Sequence, residues 1–116
     1  MLRINWTKLT NRTEIDSNHV WGYQVRMVNT DEYCGKFMVL TNECPGSYHW
    51  HVDKKETFVV LAGRVEVLIE GVRYEYQVGD SVTIEREQKH SMKAIETPAI
   101  VLEVSTHDED SDTKRT

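Results

Sequence analysis

Turn signals recur about every ten residues along this chain, and this spacing is its strongest constraint on the fold. Pro45-Gly46 and Gly79-Asp80 are turn dipeptides, and Gly71 separates two segments in which apolar and polar residues alternate. No window shows an apolar period of 3.6 residues over the length of a helix. Many short strands at such spacing predict an all-β protein, and we expect a single-domain antiparallel jelly-roll barrel.

The strands are expected at the alternating or β-branched segments, with Gly63 ending one of them. They are predicted over residues 21–28, 35–41, 47–52, 56–61, 64–70, 72–78, 81–84 and 99–104. Residues 1–107 would form the barrel domain. Residues 108–116 begin with acidic side chains and are expected to be a solvated, mobile tail.

The charge balance limits the classes of partner. The 116 residues carry 14 Lys and Arg against 19 Asp and Glu, a formal net charge of −5, which argues against nucleic acid as a partner. No apolar run approaches the roughly 18 residues that span a membrane. The first residues lack the apolar stretch of a signal peptide, so we expect a cytoplasmic protein in which Cys34 and Cys44 are reduced.

Three histidines and one glutamate have the spacing of a metal site. His49 and His51 lie two apart in an expected strand, so both rings face one side, about 7 Å apart along the chain. Glu56 opens the next strand and His90 a later one, so an antiparallel barrel can bring all four together. Three imidazoles and a carboxylate suit one divalent transition metal ion such as Mn, Fe, Ni, Cu or Zn. The alternative is a pair of surface histidines on a strand.

These residues fall within a longer pattern that resembles the cupin superfamily. Gly46, His49, His51, Glu56 and Gly63 resemble its first motif, although the first gap is short. Gly79 and His90 fit the second motif. That motif departs from the family at Glu85, Glu87 and Ala94, which replace Pro, Gly and Asn. The resemblance implies a jelly-roll barrel that holds a metal through His49, His51, Glu56 and His90.

A finer resemblance covers roughly residues 20–112. It rests on Val20-Trp21-Gly22-Tyr23, on Tyr33-Cys34-Gly35-Lys36 and on Glu103-Val104-Ser105-Thr106-His107. These segments resemble small cupins related to the cupin part of type II mannose-6-phosphate isomerase and to D-lyxose isomerases. The resemblance implies a small-molecule substrate such as a sugar, and isomerisation or epimerisation of a sugar or sugar phosphate. An iron-dependent dioxygenase and a non-catalytic ligand-binding cupin are the alternatives.

The sequence does not assign the base that such an isomerisation requires. The candidates are Lys36, Lys93, Glu85, Glu87 and Glu103. Each is more typical of a solvated surface charge, and Lys36 and Glu103 are expected to face solvent from half-buried strands. Glu85 and Glu87 are expected near the mouth of the site, which favours a neutral sugar over an anionic one.

Aromatic residues are concentrated in the N-terminal third of the chain, at Trp6, Trp21, Tyr23 and Tyr33. In a small protein these side chains need a surface to cover. We expect a homodimer in which the N-terminal strands pack on the neighbouring subunit. Core packing within one subunit is an equal alternative.

Overall fold

A computed structural model of the protein describes residues 15–115, and its elements are almost all strands. The strands are β1 (Ile15–His19), β2 (Gly22–Asn29), β3 (Cys34–Leu40), β4 (His49–His51), β5 (Glu56–Ile69), β6 (Val72–Gln77), β7 (Ser81–Ile84), β8 (His90–Ser105) and β9 (Thr113–Arg115), with a single-turn 3₁₀ helix at Asp110–Asp112. Every strand pair is antiparallel. The predicted antiparallel all-β barrel is confirmed.

One curled sheet makes up the barrel. Strands β1, β2, β3, β8, β4 and β9 follow one another across it, and β5 pairs with β6, β7 and β8. The long strands β5 and β8 run beside each other from Glu56 opposite Ser105 to Ile69 opposite His90. The shorter strands β3, β4, β6 and β7 pair with one or the other of these two long strands.

Gly63 turns a corner within β5 and does not end a strand, as the sequence had suggested. Residues 56–69 form one strand, with register shifts between Val60 and Val65 where it bends against β8. Gly63 has a φ of 71°, and a Cβ there would lie 2.5 Å from the Glu96 carbonyl oxygen. Only glycine fits this conformation and this close approach without strain. The bend folds the two halves of the β5–β8 ribbon toward each other.

The core lies between these folded halves. On β5 the buried side chains alternate as Glu56, Phe58 and Val60 before the bend and as Val65 and Val67 after it. The bulges at the corner keep the apolar face inward on both sides of the bend. Further apolar residues from the other strands complete this core, namely Trp21, Leu40, Ile84, Met92, Ala94, Ala99 and Val101.

The C-terminal segment belongs to the barrel, which differs from the solvated tail that its composition had suggested. β9 pairs with β4, with Thr113 opposite His51 and Arg115 opposite His49. Asp112 is 7% exposed, and Asp108 forms ion pairs with buried lysines. The acidic residues are therefore partners for donors inside the fold, and a barrel boundary at residue 107 divides one packed unit.

The N-terminal aromatic residues have different environments. Trp6 lies outside the described residues, Trp21 is buried in the core and Tyr33 is 55% exposed. Cys34 is buried and Cys44 exposed, and neither forms a disulfide. Within residues 15–115, no helix has the length and apolar character needed to cross a membrane.

Candidate metal centre

Strand β4 carries two histidines and lies beside the start of β8. Because side chains alternate along a strand, His49 and His51 lie on the same face of β4. His49 pairs directly with His90 of β8. One ring nitrogen from each of His49, His51 and His90 can be chosen so that all three lie within 4.8 Å of one another. The ring centroids of His49 and His90 are 4.4 Å apart. The structure thus brings together the three histidines that the sequence singled out.

Backbone carbonyl groups set the orientation of two of these rings. His49 Nδ1 donates to the Ser47 carbonyl oxygen at 2.8 Å, and His90 Nδ1 donates to the Gln88 carbonyl oxygen at 2.9 Å. Because a carbonyl only accepts, Nδ1 carries a proton in both rings, and a metal would bind Nε2, which in His90 otherwise hydrogen-bonds to Glu56. This outer arrangement is typical of metal-ligating histidines.

Glu56 adds a buried carboxylate to the three imidazoles. Its Oε1 lies 3.0 Å from His90 Nε2 and its Oε2 lies 3.4 Å from His51 Nε2. Among the described residues, His51 Nε2 has no hydrogen-bond partner of good geometry, whereas Glu56 Oε2 also lies 3.1 Å from the Lys54 ammonium. Buried polar atoms are rarely left unsatisfied. A buried imidazole nitrogen without a partner, facing a carboxylate, fits a site shaped for a divalent cation.

The protonation states at this point also suit a cation. Burial, reinforced by His90, lowers the pKa of His49 to about 4, and burial together with the Lys54 ammonium lowers the pKa of His51 to about 4. Burial opposes ionisation of Glu56, but the hydrogen bond with His90 and the charge of Lys54 outweigh it and hold its pKa below the ordinary range. At neutral pH, His49 and His51 are neutral and Glu56 is anionic, the forms in which these side chains bind metals.

A network of buried charges adjoins the four residues. Lys54 Nζ lies 3.1 Å from Glu56 Oε2, 3.2 Å from Glu103 Oε2 and 2.9 Å from Asp108 Oδ1. Lys36 Nζ lies 3.7 Å from Glu103 and 3.4 Å from Asp108. The three carboxylates outweigh the cost of burial and raise the pKa of Lys54, so it stays protonated. Burial raises the pKa of Glu103, and the Lys36 ammonium offsets this in part.

This network corrects the expectation for two of the base candidates. Lys36 and Glu103 are 7% and 3% exposed, so neither faces solvent. Their strands β3 and β8 are neighbours, and residues 36 and 103 are directly opposed, so each supplies the other's counter-charge. Sequence reasoning missed Lys54 and Asp108 altogether. Both lie in highly charged segments, 53–55 and 107–112, where nothing in the sequence separates a buried charge from a solvated one.

A cavity of about 170 Å³ opens above the four residues. Its walls combine Phe58, Met38 and Met92 with the charged groups of Lys54 and Glu103. His19, stacked on Trp21 with a centroid separation of 4.6 Å, lies at the same cavity, as do Thr113 and Arg115 of the C-terminal strand. An apolar wall opposite converging polar groups is typical of small-ligand sites.

The loop that precedes His90 carries the altered second motif and is tied to strand β4. Glu87 stands where cupins have glycine and has a φ of 68°. Its amide donates to the His51 carbonyl oxygen at 2.7 Å, which ties this loop to strand β4. Glu85 and Glu87 do not line the cavity, and Glu85 pairs with Lys55 at 3.2 Å. These two residues therefore give no reason to favour a neutral substrate over an anionic one.

The family model for the cupin domain matches residues 36–105. The match spans more than half of the chain and includes all four residues of the candidate site. The chain therefore belongs to the cupin family.

One curated enzyme is similar to this chain in sequence. A D-lyxose/D-mannose isomerase of Thermosediminibacter oceani is 34% identical in an alignment that covers 72% of this chain and 61% of that enzyme. The chain thus spans about three fifths of the length of this curated relative.

Two solved structures share the fold at low sequence identity. KdgF from Halomonas sp. has a TM-score of 0.78 at 17% identity, and the match covers 89% of this chain and 94% of that chain. An oxalate decarboxylase of Bacillus subtilis with Mn(II) centres has a TM-score of 0.75 at 20% identity, covering 89% of this chain and 30% of that chain. At these identities the likeness shows the fold alone.

Proposed function

We propose that this cupin binds one divalent transition metal ion through Nε2 of His49, His51 and His90 and a carboxylate oxygen of Glu56. The observation that carries the proposal is the convergence of the three histidine nitrogens, with the Glu56 carboxylate beside His51 and His90 and with the buried His51 Nε2 lacking a hydrogen-bond partner among the described residues. Nitrogen–metal distances of about 2.0–2.2 Å are expected. The ligand set is compatible with Mn, Fe, Ni or Zn.

We further propose isomerisation or epimerisation of a small sugar or sugar phosphate as the activity. A bound ion would supply Lewis-acid polarisation of a substrate carbonyl. The cavity above the site can hold a small substrate against the apolar side chains of Phe58 and Met92. The D-lyxose/D-mannose isomerase of Thermosediminibacter oceani, as a sequence relative, supports the same reaction class.

Glu103 is the group we propose to move the proton between neighbouring carbons. Of the five base candidates, Lys36 and Glu103 line the cavity, whereas Glu85, Glu87 and Lys93 do not. The charges of Glu103 and Asp108 raise the pKa of Lys36 despite its burial, so it stays protonated and cannot accept a proton. Glu103 is a carboxylate at the cavity wall whose pKa is raised by burial, which suits a general base.

Metal content is the first test. Protein purified without added metal should contain close to one equivalent of a transition metal, and His51→Ala should lose most of it. His107→Ala is the matched control, because His107 is a histidine outside the site that contacts Thr30 and Glu109. Near-stoichiometric metal in His51→Ala would refute the ligand assignment.

Solvent deuterium exchange tests the reaction class. Metal-loaded protein under nitrogen should introduce deuterium at the substrate carbon next to the carbonyl, across a panel of aldoses, ketoses and their phosphates. Glu103→Gln should abolish the exchange while metal content is retained. Oxygen-dependent consumption of a substrate without exchange would instead indicate a dioxygenase, and ligand-induced stabilisation without product would indicate a binding protein.

A further inference from the structure

The turn of residues 52–55 joins the two strands that carry ligands of the proposed metal centre. His51 ends β4 immediately before it, and Glu56 opens β5 immediately after it. The geometry of this turn therefore sets the separation and direction of two proposed ligands. Any device that fixes the turn also fixes the ligand pair.

All four backbone amides of this turn donate to side chains of two residues that follow β8, Asp112 and Thr106. Asp112 Oδ1 accepts from the Val52 and Asp53 amides at 3.0 and 2.9 Å, and Asp112 Oδ2 accepts from the Lys54 amide at 3.0 Å. Thr106 Oγ1 accepts from the Lys55 amide at 3.1 Å. The turn thus relies on residues more than fifty positions away for its hydrogen bonds.

Asp112 is well suited to this task. It is 7% exposed, and its carboxylate has three N–H donors, which form the charge-assisted hydrogen bonds that are strongest in a buried setting. It immediately precedes β9, which pairs with β4 so that Thr113 lies opposite His51 and its Oγ1 lies 3.5 Å from His51 Nδ1. One short segment therefore contacts both the turn and the ligand strand.

We infer that Asp112 is a positioning residue for the metal centre: by holding amides 52–54, it preorganises His51 and Glu56 for the ion. This inference rests on the proposed metal-binding function. Without the carboxylate, the three amides lose their shared acceptor, and the ion itself has to order the ligand pair. Ordering at the moment of binding weakens the binding.

Cobalt titration tests this role. In Asp112→Asn one oxygen becomes an NH₂ group, which cannot accept from a backbone amide. We expect the Co²⁺ dissociation constant, measured from visible absorption, to rise about tenfold or more, as for other partners that orient ligands. Glu109→Gln is the matched control, since it removes a carboxylate three positions away that pairs with His107 at 3.5 Å and accepts from none of the turn amides. Equal Co²⁺ affinity and spectra in Asp112→Asn and wild type, with both folded, would overturn the inference.

Hydrogen exchange keeps the test decisive if Asp112→Asn does not fold. In the wild type, the amides of residues 52–54 should exchange slowly, and metal loading should slow them together with the amides of residues 113–115, because coupling between two sites is reciprocal. Metal-induced protection that leaves 113–115 unchanged would overturn the inference. If the wild type takes up no Co²⁺, the proposed function fails. The positioning role is then judged separately, from the exchange of amides 52–54 in metal-free protein. Equal exchange rates in Asp112→Asn and the wild type would overturn it.

Discussion

Replacement of Lys54 by Met is the most direct test of the buried charge network. The Lys54 side chain is 4% exposed, and its ammonium contacts Glu56, Glu103 and Asp108 within 3.2 Å. Met preserves most of the length and the apolar stem but removes the charge. In the metal-free protein, Lys36 then remains beside both Glu103 and Asp108, and Arg26 lies 3.6 Å from Asp108.

Two independent estimates of the cost agree. Removing one partner of a buried ion pair costs about 3–5 kcal/mol. Alternatively, one carboxylate takes up a proton at pH 7 and is no longer charged. Protonation costs about 1.4 kcal/mol for each pH unit above an ordinary glutamate pKa near 4.3, which gives about 4 kcal/mol at pH 7. For a domain of this size, the loss corresponds to a fall in Tm of about 15 °C.

Urea unfolding of the chelator-treated protein measures this loss. Lys55→Met is the matched control, because the Lys55–Glu85 pair is about half exposed on both sides, and we expect a change below about 1 kcal/mol. The double variant Lys54→Met/Glu103→Gln restores the charge balance and should recover about 2 kcal/mol relative to the sum of the single changes. The reasoning fails if Lys54→Met costs less than Lys55→Met, or if the double variant shows no coupling.

Three further predictions follow from single features. Asp108→Asn should lower the free energy of unfolding at pH 7 and flatten the dependence of that free energy on acid pH. Lys36 and Lys54 overcome burial and hold the pKa of Asp108 in the folded protein well below its ordinary value of 3.8. The stabilisation by Asp108 is therefore present above pH 3.8 and is lost as the pH falls through the lower folded pKa. Equal slopes of the unfolding free energy against pH in acid would contradict this. Gly63→Ala should cost at least about 2 kcal/mol in urea unfolding, because the added Cβ meets the Glu96 and Pro98 carbonyls. The control Gly71→Ala, with φ of 80° and no atom within 4 Å of the added Cβ, should cost about 1 kcal/mol. Similar costs for the two variants would refute the role of Gly63 in the bend. Light scattering at micromolar concentration should give twice the monomer mass, and a monomer mass would reject the homodimer.

The local pattern of the sequence was sufficient for most of the strands and for the identity of the three histidines, but it did not indicate β1 or β9. Alternation and turn residues depend on neighbours only a few positions apart, which is why Ser81–Ile84 was predicted with its observed bounds and Val72–Gln77 to within one residue. The spacing of His49 and His51 fixes their common face for the same reason, since side chains alternate along a strand.

The tertiary structure decided how the ends of β5 meet. A straight strand would separate Glu56 from Ile69, the neighbour of His90, by about 43 Å. The bend at Gly63 instead brings Glu56 to within 3.0 Å of His90. A glycine in the sequence is compatible with either a turn or a bend. The choice depends on the partner strand β8, which continues past the corner and keeps β5 paired on both sides.

Burial of charge was likewise a property of the whole fold. Lys36, Lys54 and the pair Glu103 and Asp108 come from three separate parts of the chain, and each would be expected at the surface if judged by residue type alone. Asp112 has the composition of a mobile tail, yet it holds the turn between two proposed ligands. A charged side chain is stable inside a protein only when its partners arrive there too. Which partners arrive is set by the packing of distant segments and not by the residues beside it.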